Sequence, residues 1–81
     1  MGTEVIVEFT IEPFNEGAPG QHVTLAVGAV EAMGIDVEFG PFGSTFVTTI
    51  EIVGSAVAAL TDTAYTNGAT HVSVHIERIE N

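Results

Sequence analysis

The hydrophobic period of this chain switches repeatedly between two and roughly 3.6 residues, and the order of those switches is the strongest constraint on its fold. Over residues 3–12 (TEVIVEFTIE) Val5, Val7, Phe9 and Ile11 alternate with Glu4, Glu8, Thr10 and Glu12, as in a strand with one buried face. Pro13 closes the run, because proline lacks the N–H that a ladder needs. Pro19 suits a first helical turn, and Val23, Ala26, Val27, Val30 and Met33 then recur at helical spacing up to Gly34, which predicts a helix over 19–33. Ile35, Val37 and Phe39 alternate with Asp36 and Glu38. Gly40-Pro41-Phe42-Gly43 then turns the chain back into a strand near Ser44–Val47, a predicted hairpin.

The following stretch, TFVTTIEIVG, is rich in β-branched residues, yet its period is helical. Ile50, Val53, Val57, Leu60 and Ala64 draw one stripe, Thr48-x-x-Glu51 has the spacing of a capping box, and Asn67-Gly68 is a helix end. Residues 70–79 alternate again, with Val72, Val74 and Ile76 opposed to His71, Ser73, His75 and Glu77. The order is βαββαβ in one domain spanning 1–81. Two right-handed crossovers around one hairpin predict a ferredoxin-like α+β sandwich, a four-stranded antiparallel sheet with both helices on one face. The other face, with Ile6, Glu8, Thr10, Glu38, Ser73, His75 and Glu77, is a mixed polar surface suited to solvent or a partner subunit.

Size and charge narrow the function. A chain of 81 residues buries only about 60% of its unfolded surface, a marginal core that favours an oligomer, by that open face or by strand addition at an edge. One basic residue, Arg78, stands against eleven acidic ones, a formal net charge of −10. Such a surface repels phosphates and anionic lipid, so nucleic-acid and membrane partners are not expected. The absence of lysine reads as adaptation to high salt, where screening removes self-repulsion. No cysteine is present, which removes disulfides, thiolate metal sites and thiol nucleophiles. No apolar run approaches the ~20 residues of a membrane span and no signal-peptide pattern opens the chain, so the expected location is cytoplasmic.

The topology brings Glu12, Asn15, Glu16, His22, Phe42, Ser44, Asn67 and His71 to one end of the sandwich. Carboxylates with Phe14 and Phe42 nearby would favour a flat cation, through charge and ring-face attraction. Metal binding is not expected: His71 and His75, four apart on a strand, are separated by ~13 Å. His75 with Glu77, about 6.6 Å apart along the strand, could form only half a site. Catalysis is not expected either. The chain has no nucleophile elbow, no phosphate-binding glycine loop with lysine, and no arginine in the first loop for phosphoryl chemistry. Ser44-Thr45-Phe46-Val47 lacks the basic and aromatic residues of an RNA-reading strand.

Short motifs along nearly the whole chain resemble the small thiamine-binding family of YkoF-like proteins. They are Ile11-Glu12-Pro13 at the end of the first strand, Met33-Gly34-Ile35 after the first helix, and Gly40-Pro41-Phe42-Gly43-Ser44, where the family shows a Pro-Met-Gly-Thr turn. Asn67-Gly68-Ala69 precedes Val72, and the interval from Gly43 to Gly68 fits the family without a gap. Pro13, Pro41, Gly43 and Ser44 match the family pattern, and Phe42 takes the methionine place. His22 stands where tyrosine is common, Val47-Thr48 replaces Glu-Gly, and Ala58, Ala59, Thr61 and Thr63 replace a charged helix exterior.

The resemblance implies a homodimer or homotetramer, non-catalytic, that holds thiamine or its hydroxymethylpyrimidine moiety as a bound ligand, with no other cofactor. The site residues expected from the crevice and the resemblance together are Glu12, Asn15, Glu16, His22, Phe42, Gly43, Ser44 and Thr45. Phe42 would stack, Ser44 and Thr45 would offer hydrogen bonds, and Glu12 or Glu16 would balance the charge. The alternative is a regulatory or assembly module whose open sheet face docks a protein partner.

Overall fold

The computed structural model describes residues 3–13, 20–40 and 43–80. Six elements follow one another: β1 (Glu4–Glu12), α1 (Gln21–Glu31), β2 (Val37–Gly40), β3 (Gly43–Thr49), α2 (Ile50–Thr66) and β4 (His71–Arg78). The strands form one antiparallel sheet in the order β2-β3-β1-β4, the ferredoxin-like α+β arrangement. The most regularly alternating strand, β1, lies inside the sheet between β3 and β4.

The alternation becomes a core through register. Val5, Val7, Phe9 and Ile11 are all buried, and Val7, Phe9 and Ile11, with Phe46 of β3, meet Ala26, Val27 and Val30 of α1 and Ala56, Leu60 and Ala64 of α2. Phe9 and Phe46 pack as a tilted pair with ring centroids 6.0 Å apart, a favourable arrangement for two ring quadrupoles. The small residues on the helices let them approach the sheet and each other, while the β-branched and aromatic residues come mainly from the strands. Among the described residues no helix is long and apolar enough to cross a membrane.

Several boundaries differ from the sequence reading. Helix α1 ends at Glu31, so Met33 lies beyond the helix, and it is exposed. Ile35 is buried in the core ahead of β2, which begins at Val37. The expected capping box does not form, because Thr48 still belongs to β3 with its side chain turned into the core. Thr49 takes the N-cap place with extended backbone and no side-chain cap bond. Ile50, expected in the α2 stripe, is exposed: it sits at the strand-to-helix junction, where its N–H donates to the Thr3 carbonyl. At the other end the expected Asn67-Gly68 stop is present. Asn67 Nδ2 donates to the Thr63 carbonyl at 2.8 Å, and Gly68 adopts φ +105°.

Candidate functional site

At the end of the sheet where the sequence places a crevice, Glu12 is the Cα partner of His71 across the β1–β4 ladder. Its carbonyl accepts from the Thr70 N–H at 2.8 Å, while its side chain is exposed. His22, in the first turn of α1, is only 6% exposed, and its Nε2 lies 2.6 Å from the Pro13 carbonyl oxygen. A carbonyl can only accept, so Nε2 is the donor and that nitrogen carries the proton. His22 is thus an internal strut rather than a side chain free to line a crevice. Asn67 is likewise occupied by its cap.

Gly43, Ser44 and Thr45 open β3, and their alternation divides them. Ser44 is opposite Phe9 and faces the helices, whereas Thr45 is opposite Glu8 on one side and Glu38 on the other, and faces away from the helices. Their hydroxyls therefore point to different faces and do not meet a ligand from the same side. Gly43 has φ +151°, and a Cβ there would come within 3.1 Å of the Phe9 carbonyl oxygen and 3.3 Å of Thr10 Cγ2. Asn15, Glu16 and Phe42, together with Phe14, lie outside the described residues.

The open face of the sheet carries a feature the sequence reading treats only as part of a partner surface. Glu8, Phe9 and Thr10 of β1 and Ser73, Val74 and His75 of β4 line a shallow depression of about 210 Å³. The register pairs Glu8 with His75 and Thr10 with Ser73, so four polar side chains border it from the same face. The combination was legible in principle, since two alternating strands paired antiparallel must bring their polar sets together. Glu4, Glu8, Glu12 and Glu77 are exposed along the same face, and Glu38 lies on it at β2. Ile6 and Val47, Cα partners and both exposed, form an apolar spot among them. His75 Nε2 and Glu77 Oε1 are 3.2 Å apart with both side chains largely in solvent, so the pair adds little stability. Among the described residues, no three His, Asp or Glu side chains converge as metal ligands.

No protein-family model matches this sequence, and no curated protein matches it. Solved structures do share its fold. A domain of unknown function from Bacillus cereus superposes with a TM-score of 0.69 at 18% identity, over 99% of this chain and 78% of that one. A Thermotoga maritima protein whose proposed role is thiamine biosynthesis or salvage superposes with a TM-score of 0.67 at 18% identity, over 96% of this chain and 84% of the other. A hypothetical protein from Methanocaldococcus jannascii superposes with a TM-score of 0.60 at 20% identity, over 98% and 81% respectively.

Proposed function

We propose that this protein is a non-catalytic, oligomeric binder of thiamine or its hydroxymethylpyrimidine moiety that acts in the cytoplasm. The observation that carries the reading is the acidic open sheet face, whose depression is bordered by Glu8, Thr10, Ser73 and His75 and lies on the same face as Glu12. Thiamine is a flat cation with a hydrogen-bonding pyrimidine. A surface with one basic residue against eleven acidic ones attracts the charge, and the hydroxyls of Thr10 and Ser73 offer both donors and acceptors. The likeness to a fold already linked to thiamine salvage in Thermotoga maritima supports the same ligand class. In this reading Glu8 and Glu12 balance the charge, Thr45 replaces Ser44 as the β3 hydroxyl, and His22 holds the chain beside Pro13 rather than touching the ligand.

Two observations favour a second reading, a docking module for a protein partner. At about 210 Å³ the depression is smaller than the ~300–1,000 Å³ of pockets that enclose small molecules, and the Ile6–Val47 spot beside it suits a protein contact. Thermal-shift titration in molar KCl with thiamine, thiamine phosphates and hydroxymethylpyrimidine separates the two. Binding to the native state raises the melting temperature with dose, whereas an unchanged melting temperature with every compound, confirmed by calorimetry, selects the docking module.

A further inference from the structure

Helix α2 ends on a hydrolytically vulnerable pair. Of the asparagines in this sequence, Asn67 is the one followed by glycine, the residue whose backbone nitrogen is least hindered from attacking a neighbouring side-chain amide. Asn67 is partly exposed and Gly68 is exposed, so water reaches the pair. The local fold nevertheless holds both reacting groups. Asn67 Nδ2, the leaving nitrogen, donates to the Thr63 carbonyl at 2.8 Å, and the Gly68 N–H, on the attacking nitrogen, donates to the Tyr65 carbonyl at a long 3.4 Å. With the Ala69 N–H on the Ala64 carbonyl at 3.0 Å and Gly68 at φ +105°, the backbone bonds form a Schellman motif. At Asn67 ψ is 19°, which sets the Gly68 nitrogen across the Cα–C bond from Cβ, away from the Cγ that it must reach.

The same motif anchors β4. Only Gly68, Ala69 and Thr70 separate Asn67 from His71, where β4 begins. Within them the Ala69 N–H is held by α2, the Ala69 side chain packs against the core, and the Thr70 N–H donates to the Glu12 carbonyl at 2.8 Å. The connection has no slack. The register that sets His71 opposite Glu12, and Ser73 and His75 beside the depression, starts from this point.

We propose that Asn67-Gly68 is a site of spontaneous deamidation that the helix cap holds shut, and that its conversion loosens the α2–β4 junction. Neither part depends on the ligand reading above. When the last turn of α2 frays, ψ of Asn67 is free to rotate. The Gly68 nitrogen then bonds to Cγ and gives its proton to solvent, while the Cγ–Nδ2 bond breaks and Nδ2 leaves as ammonia. Water opens the five-membered imide that results. Attack at Cγ breaks the new bond to nitrogen and gives aspartate. Attack at the main-chain carbonyl carbon breaks the original peptide bond and gives isoaspartate, linked onward through Cγ. The net change is one water taken up and one ammonia released, with no oxidation or reduction. Either product loses the Nδ2 donor and sets a carboxylate at the carbonyl end of α2, where the helix dipole is negative. Isoaspartate also adds a methylene to the main chain of a connection that has no slack.

The test follows the whole chain in mildly alkaline buffer with molar KCl, folded in one arm and unfolded by urea in the other. Intact mass reads the replacement of an amide by an acid. Fragmentation of the peptide that glutamate-specific proteolysis releases around Asn67 places the change and separates aspartate from isoaspartate. Conversion in the unfolded arm is expected first at Asn67, and in the folded arm at the same residue, about ten-fold or more slower. First conversion at another residue, no conversion in the folded arm, or equal rates in the two arms overturns the gated site. Its consequence is read by hydrogen exchange on two variants. Asn67→Asp is expected to speed exchange at Gly68, Ala69 and Thr70 about ten-fold or more, and beyond Asn67→Ala, which loses the same bond without adding charge. Exchange as slow as in the parent, or no faster than in Asn67→Ala, overturns the loosening. If Asn67→Asp fails to fold, a partly converted sample of the parent chain decides: its converted molecules must lose protection at these amides while the unconverted ones keep it.

Discussion

His22 and Pro13 are joined by a hydrogen bond of 2.6 Å between the imidazole Nε2 and the proline carbonyl oxygen, and this bond ties the end of β1 to the first turn of α1. Because the imidazole is buried, its loss leaves both a void and a carbonyl without its donor. His22→Ala is expected to destabilise the fold by about 2 kcal/mol, within the range for a buried hydrogen bond plus lost packing. In a domain of this length that is a fall in melting temperature on the order of 10 °C, readable by calorimetry. An unchanged melting temperature would show that the strut carries no stability.

Glycine substitutions are expected to split by position. Gly43→Ala combines φ +151° with a 3.1 Å approach to the Phe9 carbonyl, and should cost roughly 1–3 kcal/mol. Gly54 lies within α2 with open space where a Cβ would stand, so Gly54→Ala should stabilise by about 0.5–1 kcal/mol. Denaturant unfolding of the two variants should therefore move the midpoint in opposite directions. A Gly43→Ala midpoint at or above that of the parent would contradict the close approach described at the start of β3.

Charge balance at the open face predicts a ligand effect. Glu8→Gln with Glu12→Gln keeps shape and hydrogen bonding while removing two exposed carboxylates from that face. Thiamine affinity is expected to fall on the order of ten-fold by calorimetry, about what two solvent-screened charges supply. Glu31→Gln, on the last turn of α1, serves as the control and should leave affinity within about two-fold. Equal affinity in the double variant would remove the carboxylates from the binding model.

Salt dependence follows from the net charge. With eleven acidic side chains and one basic, self-repulsion opposes the compact state and weakens as the Debye length shrinks from ~10 Å at 0.1 M to ~3 Å at 1 M. The melting temperature should rise steadily with KCl into the molar range. A flat response would show that these charges are spaced widely enough not to matter.

Much of the fold was legible because period survives translation into structure. Val5, Val7, Phe9 and Ile11 alternate in sequence and are buried together, and Leu60 and Ala64 lie on the stripe drawn for α2. The site was less legible. Adjacent residues on a strand face opposite ways, so Ser44 and Thr45 could be separated only once β3 was known to begin at Gly43. The role of His22 did leave a trace: it stands four residues before Ala26 and eight before Val30, on the same buried face of α1. A polar residue on an apolar helical stripe must find a partner, but which carbonyl it finds depends on how the chain returns from β1. The depression beside Glu8 and His75 depends in the same way on register, which alternation alone leaves open by steps of two residues.

The inequality of the two sheet edges limits how far copies of this chain can build on one another. Edge-to-edge growth into a filament needs two receptive edges per copy, one for each neighbour. Here one edge is four residues of acidic character and the other is eight residues bearing most of the basic groups. A copy that met another along its long edge would have no second long edge to offer, so such an assembly would close on itself. The same asymmetry guards against amyloid-like stacking at high protein concentration, where molar salt would otherwise screen away the charge that keeps acidic chains apart.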